Sequence, residues 1–551
     1  MKEVTSLFPQ QMMDFFERRM QISPNDQSLT LLTKLYEALR SGRASLSAKD
    51  LGEDLLPSLE SKLVGKPELK RPIVLTEQGD LYFRRYYQYE LGLAKYLWEK
   101  ACLKEPPPSQ NALALIHKHL GDSPDQLEAA IKSISKKIAL ITGGPGTGKT
   151  FLVVTMLAAM LIDFPKLKVC LCAPTGKAAH RLSESIIANL ELLNLSTEKS
   201  SAFPKEASTI HRLLRPLPPS IHFRRNDKSQ LDIDLLIVDE ASMVDLPIMA
   251  KLVQALPETS RLLLIGDIDQ LAPVEAGAPY HSIANYFSED GRPDILSSLT
   301  INRRFGNDST IQRLCVGISS GNVEEVDLLL QEPAKEDFEY VSDSTISEAR
   351  ARLLDGYKDL ANAKTPKEAH EAFSKFQVLC PTHEGELGEF ALNKLACSFY
   401  QTENESGSSI YSGLPIIIEK NDYSLGLFNG DIGIILPQST ENSQLLAWFP
   451  DKKNGYRSIS PSRLPPFRPA YAITIHRSQG SEYEEVLIVI PSIESEILSR
   501  NLLYVASSRA KQKVTLLGEQ PFILKSIQKD TKQSYSLGNR LNEVKSSKYT
   551  I

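Results

Sequence analysis

Short, mainly apolar runs separated by amphipathic stretches dominate the chain from about residue 110 onward. Ile138–Thr142, Val169–Cys172, Leu235–Val238 and Arg261–Ile265 form one set, each followed by polar punctuation. Runs this short with no polar alternation suit strands buried on both faces, as in a parallel sheet covered by helices. A second set follows at Phe376–Cys380, Val486–Ile490 and Val514–Leu517. The pattern predicts an α/β protein with two doubly wound parallel sheets. Between about Tyr411 and Leu464 the texture becomes all-β. The short strands Pro415–Glu419, Ile432–Leu436 and Leu445–Phe449 are punctuated by turns at Asn429-Gly430-Asp431 and Lys453-Asn454-Gly455. This predicts a small barrel inserted in the second sheet domain.

The first hundred residues read as a small, mostly helical unit. Leu31, Leu32, Leu35, Tyr36 and Leu39 recur at helical spacing, and a second helix is predicted over Tyr82–Trp98. Tyr82, Tyr86 and Tyr89 then share a face, either as core or as a docking surface for another subunit. Glu105-Pro106-Pro107-Pro108-Ser109 breaks any helix and makes a linker. The expected domains are 1–108, 109–298 and 299–551, with the insert at about 411–466.

Composition narrows the class. A chain of 551 residues has room for about three or four cores. No apolar run approaches a membrane-spanning length, and no basic start leads into an apolar signal segment, so a cytoplasmic protein is expected. The six cysteines form no C-x-x-C pair and read as reduced thiols rather than a metal site. With a net charge of −5, any nucleic-acid contact has to be a local groove.

Gly143-Gly144-Pro145-Gly146-Thr147-Gly148-Lys149-Thr150 fits the phosphate-loop pattern, with a predicted strand before it and a helix after. Its glycines let backbone N–H groups wrap phosphate oxygens, and the helix adds its positive end. Lys149 is the candidate bridge to the terminal phosphates of ATP, and the Thr150 hydroxyl is a candidate Mg²⁺ ligand. Leu235–Val238 runs into Asp239-Glu240. Asp239 suits the Mg²⁺ shell and Glu240 the orientation and deprotonation of water; the plainer alternative is acidic capping of a helix. Gln270, beyond the Arg261–Ile265 strand, could report the γ-phosphate. Gln126 could read the adenine edge or simply begin a helix. Arg304 and Arg509 are candidate arginine fingers, or ordinary surface arginines. The patterns Asp451-Lys452-Lys453 and Asp530-Thr531-Lys532 lie in polar stretches and read as solvated loops, not a nuclease site.

The ordered set is recognisable. It comprises Gln126, the phosphate loop, Ala173–Ala179, Thr209–Leu213, Asp239–Asp245, Gly266–Leu271, Arg304-Phe305-Gly306, Thr474–Glu482 and Tyr504–Ala510. The chain resembles the RecD family of superfamily 1 DNA helicases, the α subunits of bacterial exodeoxyribonuclease V (RecBCD) complexes. Leu425–Gly433 and Pro461–Leu464 match that family's inserted barrel, and the resemblance runs from about residue 72 to 517. It implies two RecA-like domains of the P-loop NTPase type closing on ATP, an SH3-like inserted barrel, and a 5′→3′ motor on single-stranded DNA. It also implies RecB-like and RecC-like partners, one of which holds the nuclease. Arg304 and Arg509 become the fingers; Thr175, His211, Thr474, His476 and Gln479 become candidate DNA-contacting residues. Ser507-Ser508 departs from the family's usual valine-threonine before Arg509, and the resemblance is weak before residue 72. The longer amino-terminal extension of stand-alone RecD-like helicases is not seen, which favours a subunit over a solitary repair helicase. A third reading is a nucleotide-gated assembly subunit that is no motor.

Overall fold

The computed structural model of the chain describes residues 9–16, 18, 26–51, 62–103, 105–193, 203–289, 294–306, 309–343, 345–403, 409–422, 424–439, 443–451, 455–493, 495, 497–529 and 536–548. Lys452-Lys453 and Asp530-Thr531-Lys532 lie outside them. In the amino-terminal unit the helix Asp26–Arg40 buries Leu31, Leu32 and Leu35. They pack on a small sheet that the helical reading had not anticipated, made of β1 (Leu46–Ser47), β2 (Val64–Gly65), β3 (Ile73–Leu75) and β4 (Asp80–Phe83) in the order β1-β4-β3-β2. The next helix, Arg84–Cys102, starts where β4 ends. Tyr82 is therefore a strand residue opposite Val74, not part of a helical face with Tyr86 and Tyr89. Tyr86 and Tyr89 are partly buried and pack against the core that holds Leu93, Leu246 and Met249.

The first large sheet is parallel throughout. It contains β5 (Ile138–Gly143), β6 (Val169–Ala173), β7 (Ser208–Thr209), β8 (Leu235–Val238), β9 (Arg261–Gly266) and β10 (Leu296–Leu299), in the order β10-β5-β9-β8-β6-β7. Every residue of β5, β8 and β9 is buried because successive side chains enter opposite cores. Ile138 and Leu140 join one core with the helices Arg84–Cys102 and Leu246–Gln254. Ala139 and Ile141 join the other, with the helices Gln110–Leu120 and Lys149–Asp163. The Glu105–Ser109 segment is bolted down: Glu105 pairs with Lys137 at 2.8 Å and with Arg261 at 2.5 Å.

The second lobe begins with β11 (Phe338–Val341) and β12 (Phe376–Cys380). The chain then leaves for an insert of five antiparallel strands: β13 (Pro415–Ile418), β14 (Ile432–Pro437), β15 (Leu445–Asp451), β16 (Gly455–Ile459) and β17 (Phe467–Pro469). It returns through β18 (Ala472–Thr474), β19 (Tyr483–Val489) and β20 (Ala510–Leu517), which complete a parallel sheet in the order β11-β20-β19-β12-β18.

One element leaves the lobe to which its sequence position assigns it. The helix Leu537–Lys548, inside the expected 299–551 domain, puts Leu537, Leu541 and Val544 into the first lobe's core beside Leu93, Leu97 and Trp98. Arg540 on this helix is fully buried and reaches Gln78 Oε1 at 3.0 Å, beside the Tyr82 and Tyr87 rings. Next to it, the buried Glu90 carboxylate accepts from the Tyr82 hydroxyl at 2.8 Å and from Ser536 at 2.9 Å.

Burial pushes the Glu90 carboxyl up from 4.5 to about 7, although hydrogen bonds from Tyr82 and Ser536 oppose the shift. An acid raised in the folded state stabilises the fold fully below its unfolded value. That contribution is lost as pH rises towards the folded value, here from 4.5 to about 7. Glu90→Gln is neutral at every pH and should flatten the fall in melting temperature between about pH 5 and 7. The same slope in wild type and variant would exclude Glu90 as its source.

Candidate functional site

β5 delivers the chain into the phosphate loop, and the helix Lys149–Asp163 leaves it. The loop needs glycine at two points for two reasons. Gly146 (φ +83°) and Gly148 (φ +78°) occupy the left-handed region. A Cβ at Gly146 would also stand 2.6 Å from Asn302 Oδ1, and one at Gly148 would stand 2.5 Å from Gln126 Nε2. The Lys149 ammonium donates back to the Gly143 and Gly144 carbonyls at 2.5 and 3.0 Å. Gln126 is fully buried and donates to the Thr147 carbonyl at 2.8 Å, while its Oε1 has no hydrogen-bond partner. It buttresses the loop from behind and is not among the residues lining the cleft described next.

That cleft, of about 370 Å³, is where the other candidates meet. Its wall combines Pro145–Thr150 with Asp239, Glu240, Gln270, Arg304 and Arg509. Glu240 follows β8 in a left-handed conformation (φ 51°), a strained turn for a residue with a Cβ, which brings both carboxylates to the strand end. Burial and the neighbouring Glu240 push the Asp239 carboxyl up, while Lys149 pulls it down. Gln270 donates to Asp267 Oδ2 at 3.3 Å, and its buried Oε1 has no partner.

Arg509 is 2% exposed. Its Nε and Nη1 donate to the Val505 and Ser481 carbonyls at 3.1 and 3.2 Å, and its buried Nη2 has no protein acceptor. Arg304 sits in the connector between the lobes, with Nη2 on Glu482 at 2.5 Å and a buried, unmatched Nη1. Burial overturns the ordinary-surface reading for Arg509; Arg304 is half-buried, and its ion pair with Glu482 is what ties it to the cleft. The connector is pinned to the loop: Asn302 donates to the Pro145 carbonyl at 3.0 Å and the Arg303 N–H to Gly146 at 2.8 Å. The helix Arg500–Ser507 adds Tyr504, whose hydroxyl meets Asp267 Oδ2 at 3.1 Å, and Asn501, which donates to the Asp269 carbonyl at 2.9 Å.

Glu482, Arg181 and Tyr504 lacked assigned roles in the sequence reading. Glu482 accepts from Arg304 and pairs with Arg181 of the first lobe. Burial alone would raise its carboxyl, yet the two guanidinium groups outweigh this and hold it at about 2. No local signal marks Glu482 beyond its place at the end of Thr474–Glu482. Its role comes from Arg181, which is distant in sequence.

The candidate DNA-contacting residues lie at or just beyond the C-terminal ends of β6 and of the edge strands β7 and β18, where open parallel sheets bind ligands. Thr175 and His211 each follow one of the paired strands β6 and β7 by two residues. The Thr175 hydroxyl accepts from the Ala178 N–H at 3.1 Å as a helix cap, and the His211 ring lies 6.0 Å from that of Phe223. Thr474, His476 and Gln479 close β18. Burial and nearby His383 push the His476 imidazole below its usual range. A Cβ at Gly480 would lie 3.8 Å from Ala178, so the two groups of candidates adjoin across the lobes.

Comparison with known proteins agrees with this arrangement. Residues 126–276 match an AAA domain family model, and residues 469–517 match a UvrD-like helicase C-terminal domain. The chain is 32% identical to the RecBCD enzyme subunit RecD of Haemophilus influenzae, over 85% of this chain and 81% of that one. It is 31% identical to the ATP-dependent RecD2 DNA helicase of Deinococcus radiodurans, over 80% of this chain but only 55% of that protein. Against the RecBCD enzyme subunit RecD of Mycolicibacterium smegmatis the identity is 31%, over 94% of each chain. Likeness sustained over so much of both chains, with the phosphate loop and arginines converging on one interlobe cleft, makes this protein a member of the RecD family of superfamily 1 helicases.

Proposed function

We propose that this protein is an ATP-driven 5′→3′ DNA translocase and helicase. On this reading it is the motor subunit of a complex with RecB-like and RecC-like subunits that processes double-strand DNA ends for recombinational repair. One observation carries the motor reading: Lys149 of the first lobe, Arg509 of the second and Arg304 of the connector line a single cleft. Hydrolysis there would change the contact between lobes, and lobes that also hold the strand would convert that change into movement.

Within the cleft Lys149 is assigned to the terminal phosphates and Glu240 to the attacking water. Gln270 is assigned to sensing the γ-phosphate, and the two arginines to the charge that develops on it. The Thr150 hydroxyl and Asp239 carboxylate, both in the cleft wall, are the hard oxygen donors that Mg²⁺ takes. Bound Mg²⁺ would neutralise charge on the transferring phosphoryl oxygens. We read the antiparallel insert as an SH3-like barrel, whose Phe428 lies beside Gly176 and Arg212 of the first lobe. Residues 1–108, which hold a core of their own around Leu31, Leu35 and Leu81, are read as the partner-docking unit.

Lys149→Gln should abolish both single-strand-stimulated ATPase and unwinding of a 5′-tailed duplex; unchanged turnover would refute the assigned site. Arg509→Lys keeps the charge but loses the planar fork. It should lower kcat by about 10³-fold while a fluorescent ATP analogue still binds. If binding and turnover instead fell together, Arg509 would be holding the lobe interface and not the reacting phosphate.

A further inference from the structure

At the C-terminal end of the second sheet, β12 runs parallel to β18 with Cys380 opposite Thr474. The segment after β12 therefore emerges beside His476. It forms a closed turn, in which the Glu389 N–H donates to the Thr382 carbonyl at 3.0 Å and the Phe390 N–H to the His383 carbonyl at 3.1 Å. Inside the turn the fully buried Glu389 carboxylate holds His383 Nδ1 at 2.5 Å, which fixes the plane of the imidazole. Phe390 backs that ring, with centroids 5.8 Å apart and planes 27° from parallel. Both rings are about half exposed: the His383 side chain is 49% and Phe390 51% accessible.

The charge around this pair is already matched. Arg468 lies 5.4 Å from the Phe390 ring and pairs with Glu389 at 3.5 Å and Glu419 at 2.7 Å. Arg477 faces the same two carboxylates at 3.8 and 3.7 Å. The cluster thus offers ring surface, held rigidly, and little free positive charge for a phosphate. Exposed aromatic area of this kind, beside a candidate strand-contacting histidine, is what a nucleobase stacks on.

We propose that His383, backed by Phe390, is a nucleobase-stacking platform on the second lobe, on which the threaded single strand lays a base beside His476. This rests on the motor reading and deepens it: the second lobe grips a base as well as backbone. The grip is sequence-tolerant, because every base has a π face.

The test uses the full chain and two oligothymidylates of equal length, one intact and one carrying a run of abasic sites, with binding followed by fluorescence anisotropy. Wild type should bind the intact strand about tenfold more tightly than the abasic one. His383→Ala and Phe390→Ala should lose that discrimination by weakening only the intact complex. His383→Tyr, which keeps a ring, should restore it. Quenching of a 2-aminopurine base in the strand should follow the same order. Equal wild-type affinity for the two strands, or discrimination that survives in both alanine variants, would overturn the platform while leaving the motor reading standing. A wild type that binds neither strand would overturn both.

Discussion

Arg509 is buried, and one nitrogen of its guanidinium has no protein acceptor. An unmatched buried donor costs about 1–3 kcal/mol, and more when it is charged. In the proposed site a phosphate oxygen would complete it. Around that group the cleft is arranged by charge. Asp239, Glu240 and Glu482 supply negative sites, and Lys149, Arg181, Arg304 and Arg509 supply positive ones from both sides of the gap. On the proposed reading, a polyphosphate entering between them would meet donors from both lobes, and its cleavage would change how the lobes are held.

The lobes are joined by more than their shared cleft. The connector is bound to the phosphate loop through Asn302 and Arg303, and Tyr504 and Asn501 reach from the second lobe to the end of β9. After the second sheet is complete the chain returns, and Leu537, Leu541 and Val544 enter the first lobe's core. The second lobe is therefore tethered at both ends to the first. Any movement of one lobe against the other has to respect both anchors.

Much of this was legible because buried parallel strands are short, nearly continuous apolar runs and a phosphate loop is a contiguous signature. β5, β8, β9 and β12 stand where their apolar runs do. β7 and β10 escaped, since Ser208–Thr209 and Leu296–Leu299 are too short and too polar to read as strands in isolation. They are strands because a neighbour offers a ladder of partners. Tyr82 looked helical because its spacing to Tyr86 and Tyr89 is helical, but the helix begins only at Arg84, after the edge of a sheet. Glu482 could not be assigned a partner, because Arg181 lies some three hundred residues earlier in the chain.

The amino-acid sequence by itself determined the α/β class, the place of the phosphate loop and the carboxylate pair, and the family. Each of these depends on residues adjacent in the chain, where periodicity and spacing act directly. Tertiary structure alone decided that Arg304 and Arg509 line the same cleft, that Glu482 clasps two arginines, and that the last helix belongs to the first lobe's core. Those outcomes depend on burial and on charges brought together from distant positions, and neither is a property of any local segment.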